Sequence, residues 1–135
     1  MLLAELSKAT VQDSYQESGI FTASREELIF MLYNGAIKFT HQGLQAFETE
    51  DWGKAGWNFV RAQKIVHYLD LCLNFKQGAD LAKKLDSLYQ FILSRLSVGY
   101  LEKKREYIQD ALDLLHTLRD TWQESMSSMS STEEA

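Results

Sequence analysis

Apolar residues recur along this chain at steps of three and four, the period of a helix that buries one face, and nowhere alternate as they do in a half-buried strand. Ser24, followed three positions later by Glu27, forms a capping box: the hydroxyl accepts from a free helix amide while the carboxylate reaches back. Glu26 and Glu27 also suit the positive end of the helix dipole. A first helix is therefore predicted from Ser24 to about Phe47 or Glu48. It carries two apolar stripes, Leu28, Leu32, Ala36, Phe39 and Ile29, Tyr33, Ile37, Leu44, more than one core-facing stripe requires. A second helix is expected from Glu50-Asp51 to about Asn74, with the seam Trp52, Ala55, Phe59, Ala62, Val66, Leu69, Leu73. Lys76-Gln77-Gly78 breaks the pattern. The third helix is read from about Ala79 to Val98, through Leu81, Leu85, Leu88, Ile92 and Leu96, with Gly99-Tyr100 as its end. The fourth covers about Lys103 to Ser125, with Ile108, Ala111, Leu115, Leu118 and Trp122 as its seam. Four helices of similar length on short links predict an all-α, antiparallel up-down four-helix bundle over residues 24–125. Residues 1–23 are expected to form an N-terminal arm. Residues 126–135, rich in Ser and Glu and without periodicity, are expected to be a disordered tail.

Composition sharpens this picture at a few points. The 135 residues include no proline, where average usage would supply about seven. Proline breaks helix interiors and populates turns, so its absence suits long helices with plain links. One cysteine, Cys72, leaves no internal disulfide and favours a reducing compartment. A formal charge of −5 argues against general nucleic-acid binding, which needs a basic face to neutralise phosphates. No apolar run approaches the roughly 20 residues that span a bilayer. The stretch Leu28 to Ile37 is interrupted by Asn34 and Gly35, and Met1 to Ala9 lacks the basic leader of a secretion signal. A cytoplasmic protein without membrane insertion is expected.

A helical bundle raises the question of a di-iron carboxylate site, which needs two Glu-x-x-His pairs; the sequence contains none. His41, His67 and His116 fall on three different predicted helices, and Cys72 between Leu71 and Leu73 reads as a small packing residue. Gly53 and Gly56 sit inside a helical pattern with no strand before them, so they make no phosphate loop. Lys103-Lys104-Arg105 is bracketed by Glu102 and Glu106 and reads as a solvated helix start. No catalytic constellation, metal site or cofactor is indicated. The chain reads as a binding protein.

The predicted first three helices each show an apolar edge beyond what the bundle interior needs, with Tyr33, Trp57, Tyr68, Tyr89 and Phe91 among the residues involved. Contiguous exposed apolar surface marks partner sites, and an amphipathic helix laid in a groove is a common recognition mode. Periodicity alone leaves two alternatives open: a groove for a partner, or a self-associating bundle whose extra stripes form a homodimer contact.

Read as strings, residues 22–39 (Thr22-Ala23-Ser24-Arg25-Glu26-Glu27-Leu28, then Met31-Leu32-Tyr33-Asn34-Gly35-Ala36-Ile37-Lys38-Phe39) resemble the opening helix of the flagellin export chaperones, the FliS family. That family typically has "TASPEEL…MLYDGAIKF" after an N-terminal Tyr-Gln, and Tyr15-Gln16 lies upstream here. Arg61-Ala62-Gln63-Lys64-Ile65-Val66, the stretch Leu81 to Leu96, and Leu118-Arg119-Asp120-Thr121-Trp122 are similar to later family strings in the same order. Together they span about residues 15–122. Departures are local: Arg25 replaces the usual proline, Ser97 to Lys104 lacks the usual acidic loop, and the segment before Tyr15 is longer.

The resemblance implies a cytoplasmic chaperone that binds the C-terminal segment of flagellin, prevents premature polymerisation and assists delivery to the flagellar export gate. It implies no cofactor. It also implies that the segment around Tyr15 packs back on the bundle, either filling part of an empty client groove or stapling a flexible arm. The residues chosen for the groove lie on the edges of helices two and three: Ala62, Gln63, Ile65, Val66, Leu69, Tyr89 and Leu93. Gln63 is expected to pair with the client backbone. Ile65 is expected to be exposed enough that Ile65→Asp abolishes binding without loss of helicity.

Overall fold

A computed structural model of the chain describes residues 24–73 and 78–134. Among these residues there are four helices: α1 (Arg25–Glu48), α2 (Trp52–Leu71), α3 (Ala79–Leu101) and α4 (Arg105–Glu134). The expected arm, residues 1–23, lies outside the described residues.

The boundaries follow from local chemistry. Ser24 caps α1, its hydroxyl accepting from the Glu27 amide at 3.2 Å. The link to α2 is a tight stop and restart. Glu50 takes the left-handed conformation (φ 61°), the Glu50 amide donates to the Phe47 carbonyl and the Asp51 amide to that of Ala46. This is the reciprocal pattern that satisfies the last carbonyls of a helix. Asp51 then caps α2 through its carboxylate, which accepts from the Lys54 amide at 3.3 Å. The α3–α4 link repeats the device: Lys103 is left-handed (φ 58°), its amide donates to Tyr100 and that of Lys104 to Gly99. A non-glycine residue in this conformation costs roughly 1–2 kcal/mol. Glu50→Gly is accordingly expected to raise stability by about 1 kcal/mol, read as a higher denaturation midpoint with an unchanged m-value.

Three expected boundaries move. Helix α2 ends at Leu71, with Cys72 capping it through bonds to the Tyr68 and Leu69 carbonyls; the expected end, Asn74, lies outside the described residues. Helix α3 does not stop at Gly99-Tyr100 but runs through both to Leu101. The glycine serves close packing there, not termination: a Cβ on Gly99 would lie 3.0 Å from Ile108 Cγ1 and 3.2 Å from the Lys104 carbonyl. Tyr100 is held in the helix by its hydroxyl, which donates to the Trp52 carbonyl at 2.8 Å. Helix α4 starts at Arg105, two residues later than expected, and continues through residues 126–134, the stretch read as a tail. No glycine or proline interrupts that stretch, so nothing local stops the helix.

The pairing of helix ends makes the bundle antiparallel. Arg25 at the start of α1 reaches the Cys72 carbonyl at the end of α2. Arg105 at the start of α4 pairs with Glu48 at the end of α1 (2.8 Å), and the Trp122 indole on α4 donates to the Glu26 carbonyl (2.9 Å). Each helix packs on two neighbours, in the cyclic order α1, α2, α3, α4. The core is apolar at its centre, with Val66, Ile92, Leu96, Ile108 and Leu115 fully enclosed. Small residues set the closest approaches: Ala36, Ala55, Ala62 and Ala111 are wholly buried, and Gly43 on α1 lies against the Phe59 ring of α2.

Candidate partner-binding surface

The crease between α2 and α3 is one of the places where this bundle leaves apolar surface open. Two helices joined by few side chains need something to fill the space between them, and here the α2 side is cut back to glycine. Gly53 and Gly56 line a cavity of about 460 Å³ together with Trp57, Val60, Tyr100 and Leu101, over a floor of Phe59, Leu96, Gln63 and Ser97. Trp57 is 63% exposed, Leu101 75% and Val60 43%. Tyr100 determines why one glycine is required: its hydroxyl lies 2.7 Å from where a Gly56 Cβ would be. Next to Gly53 there is open space. A helical glycine costs about 1 kcal/mol relative to alanine, and at Gly53 no contact within the described chain offsets that cost.

Farther along the crease, Gln63 ties the two helices together, donating to the Leu93 carbonyl at 3.1 Å and to Ser97 Oγ at 2.6 Å. Lys103 closes the near end, its ammonium 4.3 Å from both the Trp52 and Tyr100 ring centres. The expected solvated basic run is thus partly used for cation–π contact.

A second cavity, about 520 Å³, opens at the opposite end of the bundle among Ile29, Leu69, Leu81, Leu85, Leu118 and Trp122. Tyr33 and Tyr89 line it and join across the core through a hydroxyl–hydroxyl hydrogen bond. Burial raises the pKa of both phenols, so both remain neutral through the physiological range. Each hydroxyl satisfies the other. Tyr33→Phe or Tyr89→Phe alone is expected to cost about 1–2 kcal/mol, whereas the double variant costs less than the sum, because no buried hydroxyl is then left unpaired. A double-mutant cycle in urea measures this.

The structure distributes the candidate groove residues over several places. Ala62 and Val66 are completely buried and present no surface. Leu69 and Tyr89 line the end cavity. Gln63 and Leu93 meet in the crease, with Gln63 engaged by α3. Ile65 faces α1, where its Cδ1 would lie 3.2 Å from a Cβ on Gly35. Tyr15 lies outside the described residues. Among the edge aromatics, Tyr33, Tyr68 and Tyr89 are buried, while Trp57 and Phe91 are exposed; the Phe91 ring is covered by Arg95 at 4.8 Å. Gly53, Gly56, Val60, Tyr100 and Leu101 were not singled out for the groove. The available signal was a pair of glycines one turn apart within a helical seam.

Comparison with known proteins decides the family. A family model described as "Flagellar protein FliS" matches residues 7–129. The chain belongs to the FliS family. Among curated relatives, it is 28% identical over 115 residues to the flagellar secretion chaperone FliS of Bacillus subtilis (strain 168), covering 85% of each chain. It is 28% identical over 125 residues to the FliS of Salmonella typhimurium, covering 92% of each. A solved structure titled "Crystal structure of flagellar chaperone from bacteria" superposes with a TM-score of 0.71 at 17% identity, over 90% of this chain and 98% of that one. That likeness establishes the shared bundle fold. As a FliS-family member the chain is of the flagellar secretion chaperone class, and no helix among the described residues is long and apolar enough to cross a membrane.

Proposed function

We propose that this FliS-family chain binds the C-terminal segment of flagellin in the cytoplasm, covers its apolar helical face, and so prevents premature polymerisation before export. The observation that carries this reading is the α2/α3 furrow, where Trp57, Val60 and Leu101 stand exposed around a gap lined by Gly53 and Gly56. An exposed tryptophan with two aliphatic neighbours is the kind of anchor that dominates helix-in-groove binding. The segment bound must itself offer an apolar helical stripe, which is what a polymerising coiled-coil end carries and what a chaperone must keep from its own kind. Binding coupled to ordering typically buries roughly 1,000–3,000 Å² and spends part of the interaction energy on ordering the client. That leaves a complex that is tight yet releasable without nucleotide. Delivery to the export gate is the role that follows for the loaded complex.

Size-exclusion chromatography coupled to light scattering tests it. Mixed with monomeric flagellin, the full chain should form a one-to-one complex and suppress seeded filament growth in proportion to its concentration. Filament growth unchanged by an excess of the chain contradicts the proposal. The concentration series of the chain alone addresses self-association, which would show as a rise towards the mass of a dimer.

A further inference from the structure

The furrow is bounded at both ends by side chains that cross from one helix to the other. At the near end the Tyr100 hydroxyl of α3 donates to the Trp52 carbonyl of α2 at 2.8 Å. At the far end Gln63 of α2 donates through Nε2 to the Leu93 carbonyl of α3 at 3.1 Å and to Ser97 Oγ at 2.6 Å. Trp52 and Gln63 are about 16 Å apart along α2. Apart from Gln63, Ser97 and Tyr100, the residues that line the furrow are apolar or glycine. Each crossing is fixed by its surroundings. The Tyr100 ring packs edge-on against Phe59, with centres 6.1 Å apart, and the Lys103 ammonium lies 4.3 Å from its centre. A carbonyl only accepts, so the Leu93 contact settles which end of the Gln63 amide meets α3.

Small residues on a helix usually let a neighbour close up, because the side chains at the contact set the distance between packed helices. Gly43 of α1 does this, lying against the Phe59 ring of α2. Gly53 faces open space instead, and the cavity of about 460 Å³ lies between the two crossings. At Gly56 the missing side chain serves a crossing directly. A Cβ there would lie 2.7 Å from the Tyr100 hydroxyl and 2.8 Å from its Cζ, and would push the ring off the Trp52 carbonyl. We propose that Gln63 and Tyr100 are positioning residues, two struts that hold α2 and α3 at a fixed width and shape the furrow before the client helix arrives. This rests on the flagellin reading above and adds what makes the furrow selective.

A furrow of fixed width acts in two ways. The receptor needs no further ordering when it binds, so less of the interaction energy is lost. It also discriminates, because a stripe of the wrong shape cannot be accommodated by spreading or closing the crease. A crease free to change its width would hold any apolar helical stripe, and hold it weakly. The two struts act as one device, since the width belongs to the helix pair and loss of either crossing releases it. Substitutions about 16 Å apart with no shared partner ordinarily have independent effects. Here they should be coupled.

Calorimetric titration of the full chain tests the proposal, with a C-terminal flagellin segment and with a peptide of the same composition whose apolar stripe is shuffled. Gln63→Met and Tyr100→Phe each delete a crossing and keep most of the side chain's bulk. Each should weaken flagellin binding roughly three- to tenfold and leave the weak affinity for the shuffled peptide where it was, so that selectivity falls by the same factor. The double variant should lose less than the product of the two single losses. A bond that only supports the fold would lower the denaturation midpoint and, well below that midpoint, leave the ratio of the two affinities unchanged. Circular dichroism checks that each variant is folded. Ser97→Ala, which keeps the Leu93 bond, should lose about half as much selectivity on a logarithmic scale and stands in for Gln63→Met if that variant does not fold. Flagellin affinity and selectivity unchanged in the single variants, or losses that simply multiply in the double one, overturn the struts while leaving the furrow standing. No binding by the unchanged chain overturns the furrow reading and this proposal with it.

Discussion

Gly43→Val is expected to destabilise the bundle by about 3 kcal/mol, lowering the thermal midpoint by roughly 10 °C. A Cβ at this position on α1 would lie 2.4 Å from Phe59 Cε1 and 2.6 Å from Phe59 Cδ1, well inside contact distance. The ring cannot yield cheaply. Phe59 is buried and packs edge-on against Tyr100, with ring centres 6.1 Å apart, and Tyr100 is itself anchored to the Trp52 carbonyl. Relief would require α1 and α2 to separate, which opens the most extensive helix–helix contact in the bundle. The gain in helix propensity on replacing glycine, at most about 1 kcal/mol, does not offset this. Because Phe59 also floors the furrow, the variant should lose client affinity along with stability. Gly53→Ala serves as the control: with open space above it, it should stabilise slightly.

Trp57→Asp should act in the opposite manner. The side chain is largely exposed and the change leaves the core intact, so stability should move by no more than about 0.5 kcal/mol. Client affinity should drop on the order of a hundredfold, the scale of losing a central aromatic anchor and putting a charge in its place. Circular dichroism together with calorimetry separates the two quantities. Equal losses of helicity and affinity would mean that Trp57 supports the fold, and an unchanged affinity would remove it from the docking surface.

The seams were legible because burial forces a period on the chain. Residues such as Ala55, Phe59, Ile92 and Leu115 lie in the core where their spacing places them. The capping box at Ser24 was equally readable, since it needs only local chemistry. Links were harder. Glu50 and Lys103 adopt left-handed conformations without glycine, and Gly99, a glycine where a stop was expected, serves packing within α3. Surplus apolar surface was also evident, but its location was not. Periodicity assigns a residue to a face of its own helix and does not say which neighbouring helix that face meets. Its own-helix face therefore suggests Ile65 for the groove although it packs towards Gly35 of α1, and suggests Tyr89 although its hydroxyl bonds Tyr33 across the core. The furrow itself is defined by what is missing. Gly53 and Gly56 register in a sequence as weak helix formers, and only their placement opposite Tyr100 and Leu101 turns them into space.

Hydroxyl-radical footprinting of the full chain with and without flagellin tests the docking surface most directly, because it reads each side chain in an unmodified protein. Trp57, Val60 and Leu101 should lose most of their reactivity on complex formation, with Phe91 on the α3–α4 side little changed. Protection falling on Phe91 while Trp57 remains as reactive as in the free chain would place the client elsewhere on the bundle.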